Sequence, residues 1–196
     1  YTKEELEGLR AVCDELDLYL YLDGARLGSA IAAGGPDFAE LARLCDAFYI
    51  GGTKNGALFG EALVILNDSL KPDFRWILKQ HGGMLAKGWL LGVQFDTLLR
   101  DGLYLELARH ANEQAQRLRS GIGMLGYAFA CDSPSNQQFP ILPDAVLEQL
   151  EGDFHWEVIG HPAPGMTEIR LVTSWATSPA AVSAFLRRLR ELTEQA

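Results

Sequence analysis

Residues 18–55, LYLYLDGARLGSAIAAGGPDFAELARLCDAFYIGGTKN, decide the fold. LYLYLD shows no strict alternation of apolar and polar residues, which predicts a strand buried on both faces of a parallel sheet. Gly24 permits a sharp exit from it. ARLGSAIAA reads as a short helix broken by Gly34 and Gly35, and Pro36 with Asp37 opens a second helix through Leu41, Leu44 and Cys45. DAFYI is the next strand, and it runs out through Gly51, Gly52 and Thr53 to Lys54. A strand, a helical crossover and a strand make one βαβ unit. Asp23 ends its first strand and Lys54 follows its second. In open α/β sheets, ligands bind in the crevice beyond the carboxyl ends of the strands. The geometry therefore admits either a simple Asp23–Lys54 ion pair or a ligand that needs both an anion and an amine.

Upstream, TKEELEGLRAVCDEL places Glu5 three residues after Thr2, a capping box, and Leu6, Leu9, Val12, Cys13 and Leu16 recur at helical spacing. Downstream, the glycine-rich GGTKNGALFG leads into EALVILN, a further strand. A short helix spans residues 70–79. Residues 84–120 keep a period near 3.6, with a break predicted at Asp101-Gly102. The character then changes. GMLGYAFA, QQFPILP, FHWEVIG and EIRLVTS read as strands, while PDAVLEQLEG and SPAAVSAFLRRLRELTEQ read as helices with Pro at or near their first position. The expected class is α/β, with a mostly parallel, helix-covered sheet in residues 1–83, a connecting helix at 84–101, and a small α+β domain in 102–196.

The 196 residues carry a net charge of −9, which argues against nucleic acid or an anionic membrane as the main partner. Apolar runs such as GWLLGVQFDTLL fall short of the roughly 20 residues a membrane span needs. Cys13, Cys45 and Cys131 have neither zinc-site nor disulfide-framework spacing, which predicts no metal and a reducing, cytoplasmic setting. The chain begins at Tyr1, and we expect a preceding segment.

Lys54 and Asp23 are the first candidates for chemistry. GGTKNG does not match the P-loop pattern, and no GxGxxG follows an early strand, so neither nucleotide phosphate nor nicotinamide binding is indicated. A carboxylate at the end of an apolar strand must be paired or face a crevice, because burying it bare is costly. Pyridoxal phosphate chemistry requires both a lysine amine, to hold the cofactor aldehyde, and a carboxylate, to keep the pyridine nitrogen protonated.

YLYLDGARLGSA followed by FYIGGTKNGALFGEALVI resembles the low-specificity L-threonine aldolases within the aromatic amino acid β-eliminating lyase family. These are fold-type-I pyridoxal phosphate enzymes. The similarity continues through HGGMLAKGWLLGVQFDTLL and TEIRLVTSW, with DGAR and the residue before the lysine as its specific parts. It implies that residues 1–83 are the C-terminal part of the large cofactor-binding domain, whose N-terminal half lies outside this sequence. It also implies that Lys54 forms the Schiff base, that Asp23 holds the pyridinium proton, and that Thr53 lies close to the cofactor. Arg26 would approach the cofactor's phenolate oxygen and the substrate carboxylate, and Arg170 would grip that carboxylate; a planar guanidinium suits this bidentate task. Ser174-Trp175 stands where many members carry a histidine. His81, His110, His155 and His161 read as loop or surface residues, with His81, and more weakly Arg75, Lys79 and Lys87, as candidates near a neighbouring subunit's cofactor phosphate. The implied reaction is cleavage of a β-hydroxy amino acid such as threonine or allo-threonine to glycine and an aldehyde. The alternatives are β-elimination from an aromatic or thiol-bearing amino acid, and a non-catalytic chain that retains the fold. The resemblance further implies a homodimer or homotetramer.

Overall fold

A computed structural model describes residues 1–195, and the chain folds as two units, Tyr1–Glu106 and the residues from Leu107 onward. In the first, helix α1 (Lys3–Glu15) starts at a capping box. The Thr2 hydroxyl accepts from the Glu5 amide at 3.3 Å, and the Glu5 carboxylate accepts from the Thr2 amide at 2.7 Å. Of its apolar stripe, Leu6 is buried, while Leu9, Val12 and Leu16 remain exposed.

Strand β1 (Tyr21–Leu22), helices α2 (Leu27–Ala32) and α3 (Phe38–Leu44), and strand β2 (Ala47–Gly51) form the expected crossover. Tyr21 pairs with Ala47 and Leu22 with Phe48 in parallel register. Strand β3 (Glu61–Ile65) then pairs antiparallel with β2, giving the order β1-β2-β3. LYLYLD departs from expectation. Only its Tyr21–Leu22 segment is a strand, and Tyr19 and Tyr21 are 60% and 57% exposed rather than buried on both faces. Strand β1 lies at the sheet edge, whereas the central strand β2 carries the burial through Phe48 and Ile50.

Asp46 ties the amino ends of β1 and β2 to the carboxyl end of the antiparallel β3. Its carboxylate accepts from the Asn67 amide group at 2.7 Å, the Leu20 N–H at 2.7 Å and the Arg10 guanidinium at 2.8 Å. Helices α4 (Phe74–Gln80), α5 (Trp89–Leu99) and α6 (Leu103–Met124) follow. The break expected at Asp101-Gly102 is present: both residues adopt positive φ, 54° and 78°, between α5 and α6.

The second unit is built on strand β7 (Met166–Val172), which pairs antiparallel with β4 (Gln137–Gln138), β5 (Ile141–Pro143) and β6 (Glu157–Ala163). Helices α7 (Asp144–Leu150) and α8 (Pro179–Gln195) contribute to its core, where Leu142, Leu150, Ile169 and Leu189 are fully buried. Phe154 and Phe185 meet edge to face at 5.1 Å. The antiparallel α+β arrangement matches expectation except at GMLGYAFA. There α6 continues to Met124, Gly126 turns the chain at positive φ, and only Phe129 bridges Pro140. Among the described residues, no helix is long and apolar enough to cross a membrane.

The Asn67 bond first, with help from Leu20 and Arg10, holds the Asp46 carboxyl below the usual carboxylate range, against the opposing effect of burial. A depressed pKa contributes stability that is present above the ordinary value of about 3.9 and is lost as the pH falls below it. Asp46→Asn should therefore lower the urea midpoint at neutral pH and flatten its decline below about pH 4, as followed by denaturation at a series of pH values. An unchanged acid limb would show that Asp46 does not couple protonation to folding.

Candidate active site at two glycine turns

Two turns at the carboxyl ends of β1 and β2 are brought into backbone contact because neither carries a side chain at the point of approach. A Cβ on Gly24 would lie 1.7 Å from the Tyr49 carbonyl oxygen, and one on Gly51 would lie 2.6 Å from the carbonyl oxygens of both Gly24 and Ala25. The Gly51 N–H donates to the Gly24 carbonyl at 3.0 Å, and the Leu27 N–H donates to the same oxygen at 2.9 Å. Asp23 and Arg26 belong to the first turn, Thr53 and Lys54 to the second. The fold thus places these four predicted residues on adjoining segments.

Tyr104, 1% exposed at the start of α6, fixes both turns. Its hydroxyl donates to the Gly51 carbonyl at 2.9 Å and accepts from the Gly28 N–H at 3.1 Å. Its backbone carbonyl accepts from the Asn55 side-chain amide at 2.7 Å. Burial pushes the Tyr104 hydroxyl up to about 12, so it stays a neutral donor. The Lys54 turn has further supports. The Gly52 carbonyl accepts from the amides of Asn55 and Ala57, at 2.9 and 3.0 Å. The Glu61 carboxylate at the start of β3 accepts from the Gly52 N–H at 2.6 Å and the Thr53 hydroxyl at 3.0 Å.

The Asp23 carboxylate is exposed, and a single oxygen does its bonding. Oδ1 accepts both the Tyr49 hydroxyl and the Ala25 N–H, while Oδ2 has no hydrogen-bond partner among the described residues. The Tyr49 bond first, then the Ala25 bond and the nearby charge of Lys54, hold this carboxyl below the usual range. The same bond pushes the Tyr49 hydroxyl up to about 12. Lys54 is exposed and makes no hydrogen bond or ion pair of 4.0 Å or less among the described residues, so the simple Asp23–Lys54 pair is not formed. Arg26 is half-buried, with its Nε lacking a partner among the described residues.

Arg170 lies in the second unit, on β7. Its Nη2 donates to the Glu157 carboxylate directly across the β6–β7 register, and its Nε is buried without a partner. Ser174 sits in the turn after β7, where its amide donates to the Thr177 hydroxyl at 2.9 Å. His81 caps the end of α4 and is exposed. His110 differs from the loop or surface reading: it lies within α6, half-buried, with Nε2 2.8 Å from the Thr177 carbonyl oxygen.

Tyr49, Asn55, Glu61 and Tyr104 were not singled out from the sequence. Asn55 and Glu61 flank the glycine-rich turn, a usable signal. Tyr49 and Tyr104 lie in apolar runs, where a tyrosine reads as core.

A β-eliminating lyase family profile matches residues 1–143. A low specificity L-threonine aldolase of Pseudomonas sp. (strain NCIMB 10558) is 34% identical over 193 residues, covering 97% of this chain and 55% of the relative. The solved structure of Leishmania major threonine aldolase superposes with a TM-score of 0.94 at 47% identity, over 98% of this chain and 57% of that one. A Sphingomonas wittichii serine palmitoyltransferase, 17% identical over 97% of this chain and 51% of its own, reaches a TM-score of 0.67, a likeness of fold alone. The chain spans 55% of the length of the Pseudomonas relative. The architecture is the fold-type-I α/β one expected from the sequence.

Tyr104→Phe keeps the ring and removes the hydroxyl, leaving the Gly51 carbonyl and the Gly28 amide without their shared partner. Stability should fall by about 1 to 3 kcal/mol, measured by chemical denaturation. A loss below about 0.5 kcal/mol, within the range of an ordinary surface substitution, would show that water replaces the hydroxyl at no cost.

Proposed function

Because the chain belongs to the β-eliminating lyase family, we propose that it carries the attachment lysine of a pyridoxal phosphate-dependent aldolase that cleaves threonine or allo-threonine to glycine and an aldehyde. The observation that carries this reading is the pairing of an amine and a carboxylate that do not neutralise each other. Among the described residues, Lys54 Nζ lies outside any ion pair, and Asp23 keeps Oδ2 open while Oδ1 accepts two bonds. The relatives named as threonine aldolases support the choice of substrate.

These residues fit the cofactor. Lys54 offers a primary amine to its aldehyde, Asp23 a carboxylate kept ionised for its ring nitrogen, and Arg26 an unpartnered Nε for an anionic oxygen. Thr53 has its hydroxyl proton committed to Glu61, so it contributes position and an acceptor oxygen. Bound there, pyridoxal phosphate supplies the electron sink that allows the bond between Cα and Cβ of the amino acid to break. Asp23 would hold the ring-nitrogen proton through Oδ2, the carboxylate oxygen its Tyr49 and Ala25 bonds leave open. Lys54 would hold the cofactor through its exposed primary amine, the group of this turn able to carry a proton to or from the substrate. Arg170 binds the α-carboxylate with donors that Glu157 leaves open, since only Nη2 is engaged. The family description favours β-elimination as the second reading. Product analysis separates the two: glycine with an aldehyde, or a keto acid with ammonia.

Assembly as a homodimer or homotetramer rests on the resemblance to the threonine aldolases. The three free cysteines suit a reducing, cytoplasmic compartment.

Incubation with pyridoxal phosphate followed by borohydride reduction should fix the cofactor on Lys54, identified by peptide mass. Lys54→Ala should lose both the label and threonine cleavage. Label on a different lysine, or undiminished cleavage by the variant, would contradict the assignment. Arg170→Ala should weaken substrate binding by about 2 to 5 kcal/mol. Its effect on stability should be far smaller, about 0.2 to 1 kcal/mol, because the Glu157 pair is partly exposed. An unchanged KM would leave Arg170 with only its cross-strand role.

A further inference from the structure

Tyr49 touches the Asp23 turn twice. Its carbonyl oxygen lies where only a glycine at position 24 leaves room, and its hydroxyl returns to the Asp23 carboxylate. Along β2, Phe48 and Ile50 are buried, while Tyr49 points to the other face and stacks on Tyr21 with ring centroids 6.4 Å apart. Tyr21 therefore buttresses the ring from the neighbouring strand, and its hydroxyl makes no hydrogen bond among the described residues. Both bonds to Asp23 land on Oδ1, which fixes the carboxylate torsion and leaves Oδ2 directed away from its protein donors.

Resting on the cofactor assignment above, we propose that Tyr49 is a positioning residue that orients the Asp23 carboxylate, so that Oδ2 is presented to the ring nitrogen of the bound cofactor. A carboxylate held by one neutral donor and one backbone amide keeps its charge without being neutralised by a cation, a state in which it still attracts a protonated nitrogen. Lys54 cannot provide this hold, because its amine is committed to the cofactor aldehyde. A tyrosine of purely structural value would have its worth in the ring, which phenylalanine retains. The hydroxyl alone separates the two roles.

The test uses the whole protein with Tyr49→Phe, and Tyr21→Phe as a control that removes a hydroxyl from the stacked neighbour. Pyridoxal phosphate affinity is read by absorbance titration, and the Asp23 carboxyl is titrated by carbon-13 NMR in the cofactor-free protein. The charged and titratable groups around that carboxyl are Tyr49 on β2, Tyr21 on β1 and Lys54 on the following turn. Tyr49→Phe should raise the cofactor Kd on the order of tenfold and move the Asp23 titration upward, and Tyr21→Phe should do neither. In an Asp23→Asn background, Tyr49→Phe should cause no further loss of affinity, because the effect passes through Asp23. Equal affinity and an unmoved Asp23 titration would overturn the proposal, and so would losses that add fully in the double variant. Failure of the cofactor assignment looks different: the unsubstituted protein would then take no borohydride-fixed label at Lys54.

Discussion

The Tyr104 hydroxyl bonds two backbone segments far apart in sequence, accepting from the Gly28 amide and donating to the Gly51 carbonyl. Each would otherwise be a buried polar group without a partner, a cost comparable to the bond itself. Gly28 lies in the first turn of α2, just after the DGAR turn, and Gly51 ends β2 just before the lysine turn. The clamp therefore fixes the separation of the two turns, and with it the positions of the backbones that carry Asp23, Arg26, Thr53 and Lys54. The Tyr104 carbonyl extends the hold to Asn55, immediately after Lys54. Rigid support behind exposed reactive groups is what a cofactor site requires, because preorganisation counts only if the backbone beneath it does not move.

The candidate reactive groups themselves are lightly held. Lys54 and Asp23 are both exposed, and among the described residues neither is neutralised by a direct partner of opposite charge. Burial and ion pairing would have stabilised them and removed them from use. Here the charge on Asp23 is maintained by two hydrogen bonds to one oxygen, and the amine of Lys54 is left accessible. Stability is drawn instead from glycine contacts, the Glu61 carboxylate beneath Thr53, and the sheet ends gathered by Asp46. This division, firm backbone and unsatisfied side chains, recurs at sites where function and stability compete.

The crossover from LYLYLD to GGTK was legible because glycine, proline and apolar runs follow local rules, and the parallel pairing of Tyr21 with Ala47 follows from them. The Asp101-Gly102 break was legible for the same reason, as glycine and aspartate tolerate positive φ. The full extent of LYLYLD as a buried strand was not. Apolar character predicts burial, and in this chain, which spans 55% of the Pseudomonas relative, β1 is the outer strand of three and Tyr19 and Tyr21 are open. GMLGYAFA failed similarly, since helix α6 carries through its first residues before Gly126 turns the chain. Tyr49 and Tyr104 escaped notice because a hydroxyl's target depends on residues 26 and 76 positions away, which no local pattern encodes. The candidate acid and amine are visible in the residue types; the hydroxyls that bond to Asp23 and to the two turns need the fold.

If the two turns are one mechanical unit, their amides should open together. Native-state hydrogen exchange resolves this at Gly28, Gly51, Asn55 and Ala57, whose N–H groups donate respectively to the Tyr104 hydroxyl and the carbonyls of Gly24, Gly52 and Gly52. A shared opening free energy across all four, matching that of the β2 core, is the expected result. Protection at Gly51 alongside free exchange at Gly28, Asn55 and Ala57 would mean that the lysine turn and the DGAR turn move independently, and that the Tyr104 clamp does not organise the site.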